Sequence, residues 1–576
     1  MRIKAMMNNT VAIFVLSFTL LIGVAFTPTV FAEEQFSLEE ITVKELKQGY
    51  QDGDFTVEEV VAAYLEKIEQ YENTYNAFTF MNEDALEQAK EMDQRIQSGE
   101  AEGELAGVPI VIKEAVDVAG FPSTFGWEGF SKANGGVEIM PEVDAPIVQE
   151  LKEAGAIILG KTNIPAFSAS GTNASSSWAG DTYNAVNPKF APGGSSSGTA
   201  TAISGNFAVL GIAEETGGSI QNPAAAQGIV GVKPTFGLVT SAGTTPLAAN
   251  TRDVLGPHAR TVEDAAAMLD VIAGQNDQDE NTEQAVIPEE GYSSSLDASS
   301  LEGKRLGVYG DGWRDEELSK ETQEMYDREI KELEAQGAEI VEDPFANSGF
   351  KEFVEESGNI GYDALVSDMQ SYLDRMDLDG NMPTISEIFN QVEEVPWAEG
   401  GPLNHFKEER GINFEEDLKD PYEVPDQNEF EEVRNKYIEI IDQVMEENDL
   451  DGFVYPQMSQ ETPLLHDEEG SIEATTVSEI NISGLPLVTV PAGYYESGSP
   501  FALAFFGKQW SEAELLAMAY DYEQATQHRE APALQEGEEL PQTATNNLNY
   551  VMFGAMIIVV GVILLTSKRI AIRRAN

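Results

Sequence analysis

Across 576 residues, 100 Asp and Glu stand against 34 Lys and Arg, a formal net charge of −66; a surface of that sign releases no counterions from a phosphate backbone, which excludes nucleic acid as a partner. With 42% apolar and 9% aromatic residues the chain has ample core material, so wholesale disorder is excluded as well. The absence of cysteine excludes a disulfide framework, thiolate metal ligands and a cysteine nucleophile.

In chain order, Arg2 and Lys4 precede an apolar run from Val11 to Phe26, and Val30-Phe31-Ala32 closes it before Glu33. This layout predicts a secretory signal peptide over 1–32, cleaved after Ala32. From Phe36 to about Gly103 the chain reads as helices, with Ser37 as an N-cap ahead of Glu39 and Glu40, and with Val60, Val61, Tyr64, Leu65 and Ile68 at helical spacing. Short apolar runs at Val108–Ile112, Ala156–Leu159 and Ala208–Ile212 then alternate with Gly/Ser-rich loops and helical stretches. That alternation predicts an α/β fold with a large, mixed but mostly parallel central sheet covered by helices on both faces. Leu301 to Gln443 is acidic and reads as largely helical, with Leu333, Ile340 and Val341 as buried positions in a variable part of the same domain. β-rich runs return at Gly452–Tyr455, Leu485–Pro491 and Ala502–Gly507, followed by an amphipathic helix from Ser511 to Thr526. The folded domain is therefore expected over 33–533, with an acid- and proline-rich spacer at 534–539.

The last segment, 540–576, resembles a cell-wall sorting signal. Leu540-Pro541-Gln542-Thr543-Ala544 precedes an apolar stretch from Val551 to Thr566 and the cations Lys568, Arg569, Arg573 and Arg574. The resemblance implies a sortase, with Ala544 where glycine is usual, and attachment to peptidoglycan through Thr543 on a Gram-positive surface. The same apolar run and basic tail also suit a plain membrane anchor. Both place the domain outside the cell.

Three segments carry chemistry. Gly107 to Lys113 is an apolar run ending in lysine, and an amine desolvated at a strand end has a lowered pKa and serves as a base. Pro192-Gly193-Gly194-Ser195-Ser196-Ser197-Gly198 leads into a small-residue helix, whereas Glu215-Thr216-Gly217-Gly218-Ser219-Ile220 follows an apolar run. Consecutive glycines before Ser219 let backbone N–H groups converge, as an oxyanion hole requires.

These segments, with Gly160-Lys161-Thr162-Asn163, Gly231-Val232-Lys233-Pro234-Thr235, Gly256 to Thr261 and Leu487 to Gly493 in the same order, resemble the amidase signature family from about Ser37 to Pro532. The resemblance implies amide hydrolysis by a Ser-Ser-Lys triad: Ser219 as nucleophile, Ser195 as the bridging serine on a cis peptide bond, and Lys113 as base. It further implies an oxyanion hole from the amides of Thr216, Gly217, Gly218 and Ser219, on the order of 3 kcal/mol per donor. Ser196 is expected to buttress the triad without reacting, and neither metal nor cofactor is required. Gln221 and Glu215 stand where many members carry an arginine and an aspartate, so an ion pair is expected to be lost there, in a pattern nearer to branches that act on amidated peptides or small acylamides.

Rival readings are weaker. Ser348-Gly349-Phe350-Lys351 fits S-x-x-K, but no K-T-G follows it. Only His258, His405, His466 and His528 exist, and no G-x-S-x-G frames a serine. Ser197 and the serines at 175–177 read as solvated loop residues. The non-enzyme alternative is a catalytically silent surface binding protein on the same fold; a peptide-amide or ester hydrolase is the alternative within the family.

Overall fold

Threonine caps, rather than Ser37, start the first helices. In this computed structural model, which describes residues 37–535 apart from 101–102, 315, 377–381, 393–394 and 468–469, residues 37–40 are not helical, and Glu40 has a positive φ of 58°. Thr42 and Glu45 form a reciprocal capping box for the helix Val43–Asp52, and Thr56 and Glu59 do the same for Val57–Tyr75. Each box satisfies two amide donors that a helix end otherwise leaves open. A third helix, Ala85–Ser98, completes the expected helical lead-in, although a short strand interrupts it.

Among the described residues there are eleven strands: β1 (Phe78–Met81), β2 (Pro109–Lys113), β3 (Ile157–Thr162), β4 (Leu210–Glu215), β5 (Val230–Lys233), β6 (Val254–Ala259), β7 (Arg305–Val308), β8 (Glu339–Val341), β9 (Gly452–Pro456), β10 (Leu487–Tyr494) and β11 (Pro500–Phe506). They form one sheet in the order β1-β3-β2-β4-β6-β5-β10-β11-β9-β7-β8. The sheet is mixed, as expected, but not mostly parallel: four neighbouring pairs run parallel and six antiparallel. The difference arises in the middle of the sheet, where β4, β6, β5, β10, β11 and β9 follow one another antiparallel, the β10–β11 pair closing through a tight turn that needs no crossover helix.

β2, β3 and β4 are buried along their whole length, and the helix Ser197–Ser204 packs across them. The helix Val262–Ile272 packs on β4, β5 and β6, and Glu512–Thr526 on β10 and β11. The 301–443 region is not wholly helical, because β7 and β8 extend the sheet beyond β9. Leu333 is buried; Ile340 and Val341 are only half-buried, since β8 is the edge strand. Helices from this region join Phe125, Trp127, Phe130 and Phe167 in an aromatic core containing Tyr362, Tyr372 and Phe389. A second core gathers Trp313, Phe345, Phe453 and Phe506.

The described residues from Glu40 onward group as one unit. Among the described residues no helix is long and apolar enough to cross a membrane. The signal peptide and the sorting segment with Thr543, expected from sequence, lie outside the described residues.

Candidate active site

Lys113 ends β2, between the parallel neighbours β3 and β4. Its side chain is 0% exposed, so its amine must find every partner inside the protein. Nζ lies 2.7 Å from Ser195 Oγ, 2.9 Å from the Glu214 carbonyl oxygen and 2.6 Å from Glu214 Oε2. Burial pushes the amine below its ordinary range, while the charges of Glu214, Asp253 and Glu215 oppose that push.

Ser195 reaches Lys113 from a loop that only glycine permits. Gly193 has a φ of +77°, and a Cβ there would stand 2.3 Å from Pro223 Cα; one on Gly194 would stand 2.4 Å from the Ser170 carbonyl oxygen. The Gly194–Ser195 peptide bond is cis. Ser196 Oγ donates to the Glu214 carbonyl at 3.1 Å and accepts from the Glu214 N–H at 3.4 Å, fastening the loop to the end of β4. Ser197, read from sequence as a solvated loop residue, is instead buried and donates to the Gly193 carbonyl at 2.5 Å. Ser177 is also structural, donating to Asn163 Oδ1 at 2.6 Å, whereas Ser175 and Ser176 are exposed.

Ser219 lies in the turn between β4 and the helix Gln221–Ala226. Glu215 shapes this turn: Oε2 accepts from the N–H groups of Ile220 and Gln221 at 2.7 and 3.1 Å, and Oε1 accepts from Gln221 Nε2 at 2.5 Å. The pair that lacks an arginine is thus a carboxylate–amide clamp. His258 holds the same turn from β6, its Nε2 2.9 Å from the Ile220 carbonyl oxygen; burial lowers its pKa to about 4, so at neutral pH the uncharged ring donates from Nε2. Among the described residues, the amides of Gly217, Gly218 and Ser219 donate to no protein group, and Ser219 Oγ makes no hydrogen bond. Ser219 lines a pocket with Ser168, Thr216, Gly217, Tyr362 and Arg410. A roomier cavity of about 380 Å³, lined by Asn250, Asp279, Asp368 and Arg375, lies elsewhere and contains none of the three triad candidates.

Sequence reading missed the carboxylates behind the amine. Thr216 Oγ1 lies 3.0 Å from Glu214 Oε1 and 2.6 Å from Asp253 Oδ1. The Thr216 hydroxyl thus bridges the two carboxyls. Burial, then the charge of Glu214, raises Asp253 to about 7, while the amides of Leu247 and Ala248 donate to both its oxygens and favour the ionised form. A continuous hydrogen-bonded chain therefore runs Asp253–Thr216–Glu214–Lys113–Ser195. The expected triad members divide accordingly: Lys113 and Ser195 are in contact, and Ser219 opens onto the pocket. Ser348, the rival nucleophile, donates to the Phe345 carbonyl at 2.7 Å in a turn before the helix Phe350–Ser357. Among the described residues no group of three or more His, Asp or Glu side chains is arranged to hold a metal.

The structure is an α/β sheet in which a buried lysine ending β2 contacts a serine on a glycine-serine loop. The family model for Amidase matches residues 59–516, and the chain belongs to that family, as an amidohydrolase of the amidase signature class. Among curated relatives it is 31% identical over 503 residues to one component of the glutamyl-tRNA(Gln) amidotransferase of Alkaliphilus metalliredigens, covering 84% of this chain and 96% of the relative. The corresponding component from Exiguobacterium sibiricum is 32% identical over 508 residues, covering 85% and 98%. Among solved structures, the peptide amidase of Stenotrophomonas maltophilia superposes with a TM-score of 0.68 at 28% identity, covering 88% of this chain and all of that one. An amidase family protein from Bacillus anthracis gives 0.65 at 26% identity, covering 86% and 93%.

Proposed function

We propose that this protein is an exported amidase that cleaves a carbon–nitrogen amide bond through an acyl-enzyme on Ser219, with Ser195 as proton bridge and Lys113 as base. The observation that carries this reading is the contact between a fully buried Lys113 amine and Ser195 Oγ at 2.7 Å, a position in which the amine serves no surface role.

In this mechanism Ser219 Oγ attacks the carbonyl carbon as its proton passes to Ser195 and that of Ser195 passes to Lys113. This relay requires Ser219 Oγ to come within hydrogen-bond distance of Ser195 Oγ when the substrate is held. The carbonyl oxygen takes the negative charge and is held by the amides of Thr216, Gly217, Gly218 and Ser219. Lys113 returns its proton through Ser195 to the leaving nitrogen, the carbon–nitrogen bond breaks, and the acyl group stays on Ser219 as an ester. Water then attacks the ester, giving its proton to the same relay; the carbon–oxygen bond to Ser219 breaks, the relay returns the proton to Ser219 Oγ, and the acid is released.

Substrates of this reading are small amides or amidated peptides. A role on charged transfer RNA, in the name of the amidotransferase relatives, suits it poorly, because a chain with a net charge of −66 repels a polyanion. Export through the signal peptide and attachment by sortase to peptidoglycan at Thr543 belong to the same proposal. Ammonia release from a panel of simple amides and C-terminally amidated peptides tests it. Activity in the native protein, reduced at least a thousandfold in Ser219→Ala and Ser195→Ala, is expected; inertness of the folded native protein towards the whole panel and towards esters would refute it and favour a silent binding protein.

A further inference from the structure

Acids outnumber bases 100 to 34 in this chain, so an arginine with no carboxylate beside it calls for an explanation. Arg410 is one. Among the described residues it forms no ion pair, its Nε is buried without a partner, and its one hydrogen bond is a long one, 3.4 Å from Nη1 to the Asn359 carbonyl oxygen. Its guanidinium is held over the rings of Tyr362 and Phe406, 4.2 and 4.9 Å from their centroids. On Tyr362 also lies Arg252, 4.5 Å from the ring centroid, 0% exposed and likewise without an ion pair among the described residues. Two guanidinium groups on one tyrosine repel each other, and an anion bound beside them offsets that repulsion.

The surroundings of Arg410 fit an anion. Ser168 lines the same pocket; it is 8% exposed, its Oγ is buried without a partner, and its backbone has a φ of +54°. Tyr362 Oη accepts from Arg252 Nη1 at 3.1 Å, which leaves its own proton to donate. That hydroxyl faces the amide-rich turn, since a Cβ on Gly217 would stand 3.3 Å from it. Among the described residues no Asp or Glu lines this pocket. His405, also on its wall, is held below its ordinary pKa by burial and by Arg410, so near neutral pH the charge there is that of arginine.

We propose that the pocket beside Ser219 selects amides that carry a carboxylate a few bonds from the scissile carbonyl, with Arg410 and Ser168 receiving that carboxylate. This rests on the hydrolase reading and deepens it to a substrate class. The acidic surface repels such a substrate at a distance, but at 0.15 M salt charges farther than about 8 Å away are screened, and the local arginines decide. A carbonyl-rich neutral group could use the same donors without gaining the charge-assisted hydrogen bonds that an ionised carboxylate makes.

The test compares succinamate, butyramide and 4-aminobutyramide, matched in length and differing in charge, by ammonia release at 0.15 M salt. The expected order of kcat/KM is anion, neutral, cation, with succinamate at least tenfold above butyramide. In Arg410→Gln that ratio collapses towards one through a higher KM for succinamate, and Arg410→Lys restores part of it. A native protein that hydrolyses butyramide as well as succinamate, or a ratio unchanged in Arg410→Gln, would overturn the inference and leave the hydrolase reading standing. If none of the three is hydrolysed, calorimetric titration with succinate decides the pocket separately: binding that Arg410→Gln abolishes upholds it and leaves the hydrolase reading to the wider panel of amides and esters, while no binding overturns the pocket.

Discussion

A lysine amine 2.6 Å from a carboxylate is an unusual general base, because the carboxylate favours its protonated form. The chain Glu214–Thr216–Asp253 gives the pair room to redistribute a proton, and it makes a signed prediction. Removing the charge of Glu214 takes away what opposes the burial of Lys113, so the amine loses its proton at lower pH. In Glu214→Gln the acid limb of the kcat/KM profile should therefore move to lower pH, by about one to three units for a contacting opposite charge. A limb that stays in place or moves up would remove Glu214 from the base. At this scale the sequence was legible where composition is improbable by accident: glycine pairs before serines at 195 and 219, and a lysine ending an apolar strand. Glu214 left a fainter signal, a second acid at the end of β4 beside Glu215, which a buried strand tolerates only opposite a cation. Arg252, Tyr362 and Arg410 left none, because they lie in turns and loops far apart in sequence and come together only through tertiary packing.

Among elements, the helix Ser197–Ser204 is the one whose position the site depends on, because its N-terminus carries the Ser195 loop. It sits so close to the chain behind it that a Cβ on Gly198 would stand 2.3 Å from the Ala77 carbonyl oxygen and 2.4 Å from Asn163 N. Both contacts are backbone and cannot rotate away. Gly198→Ala should cost about 1–3 kcal/mol, as overpacking does, and should displace Ser195 from Lys113. Chemical denaturation reads the first effect, and a fall of at least a hundredfold in kcat with little change in KM reads the second; native stability together with native kcat would contradict the packing argument. The strands that read clearly from sequence, β2, β3, β4, β9, β10 and β11, are continuous apolar runs. Those that did not are short or broken by composition: β6 contains Gly256, Pro257 and His258, and β7 and β8 lie inside a stretch whose acidic residues read as helix. Pairing with neighbouring strands, not local preference, makes them strands.

For the molecule as a whole, charge dominates. A net charge of −66 opposes compactness by self-repulsion. Several buried carboxyls add to this in one direction: burial raises Glu72 and Glu523 to about 8, and Asp264 and Asp368 to about 6. Each holds its proton in the folded chain at a pH where the unfolded chain has lost it, so the folded state binds more protons and stability falls as pH rises from the ordinary carboxyl range through these values. The melting temperature should therefore drop between pH 5 and pH 8.5, and at pH 8.5 it should rise on going from 0.05 to 1 M NaCl as repulsion is screened. Scanning calorimetry checks both; a melting temperature that climbs with pH, or that salt leaves unmoved, would contradict this balance. The central claim remains a bond at one oxygen, and peptide mapping by mass spectrometry after treatment with a fluorophosphonate tests it most directly. The account predicts a single stoichiometric adduct on Ser219, slowed strongly in Lys113→Ala and absent in Ser219→Ala; an adduct on any other serine, or its persistence in Ser219→Ala, would contradict it.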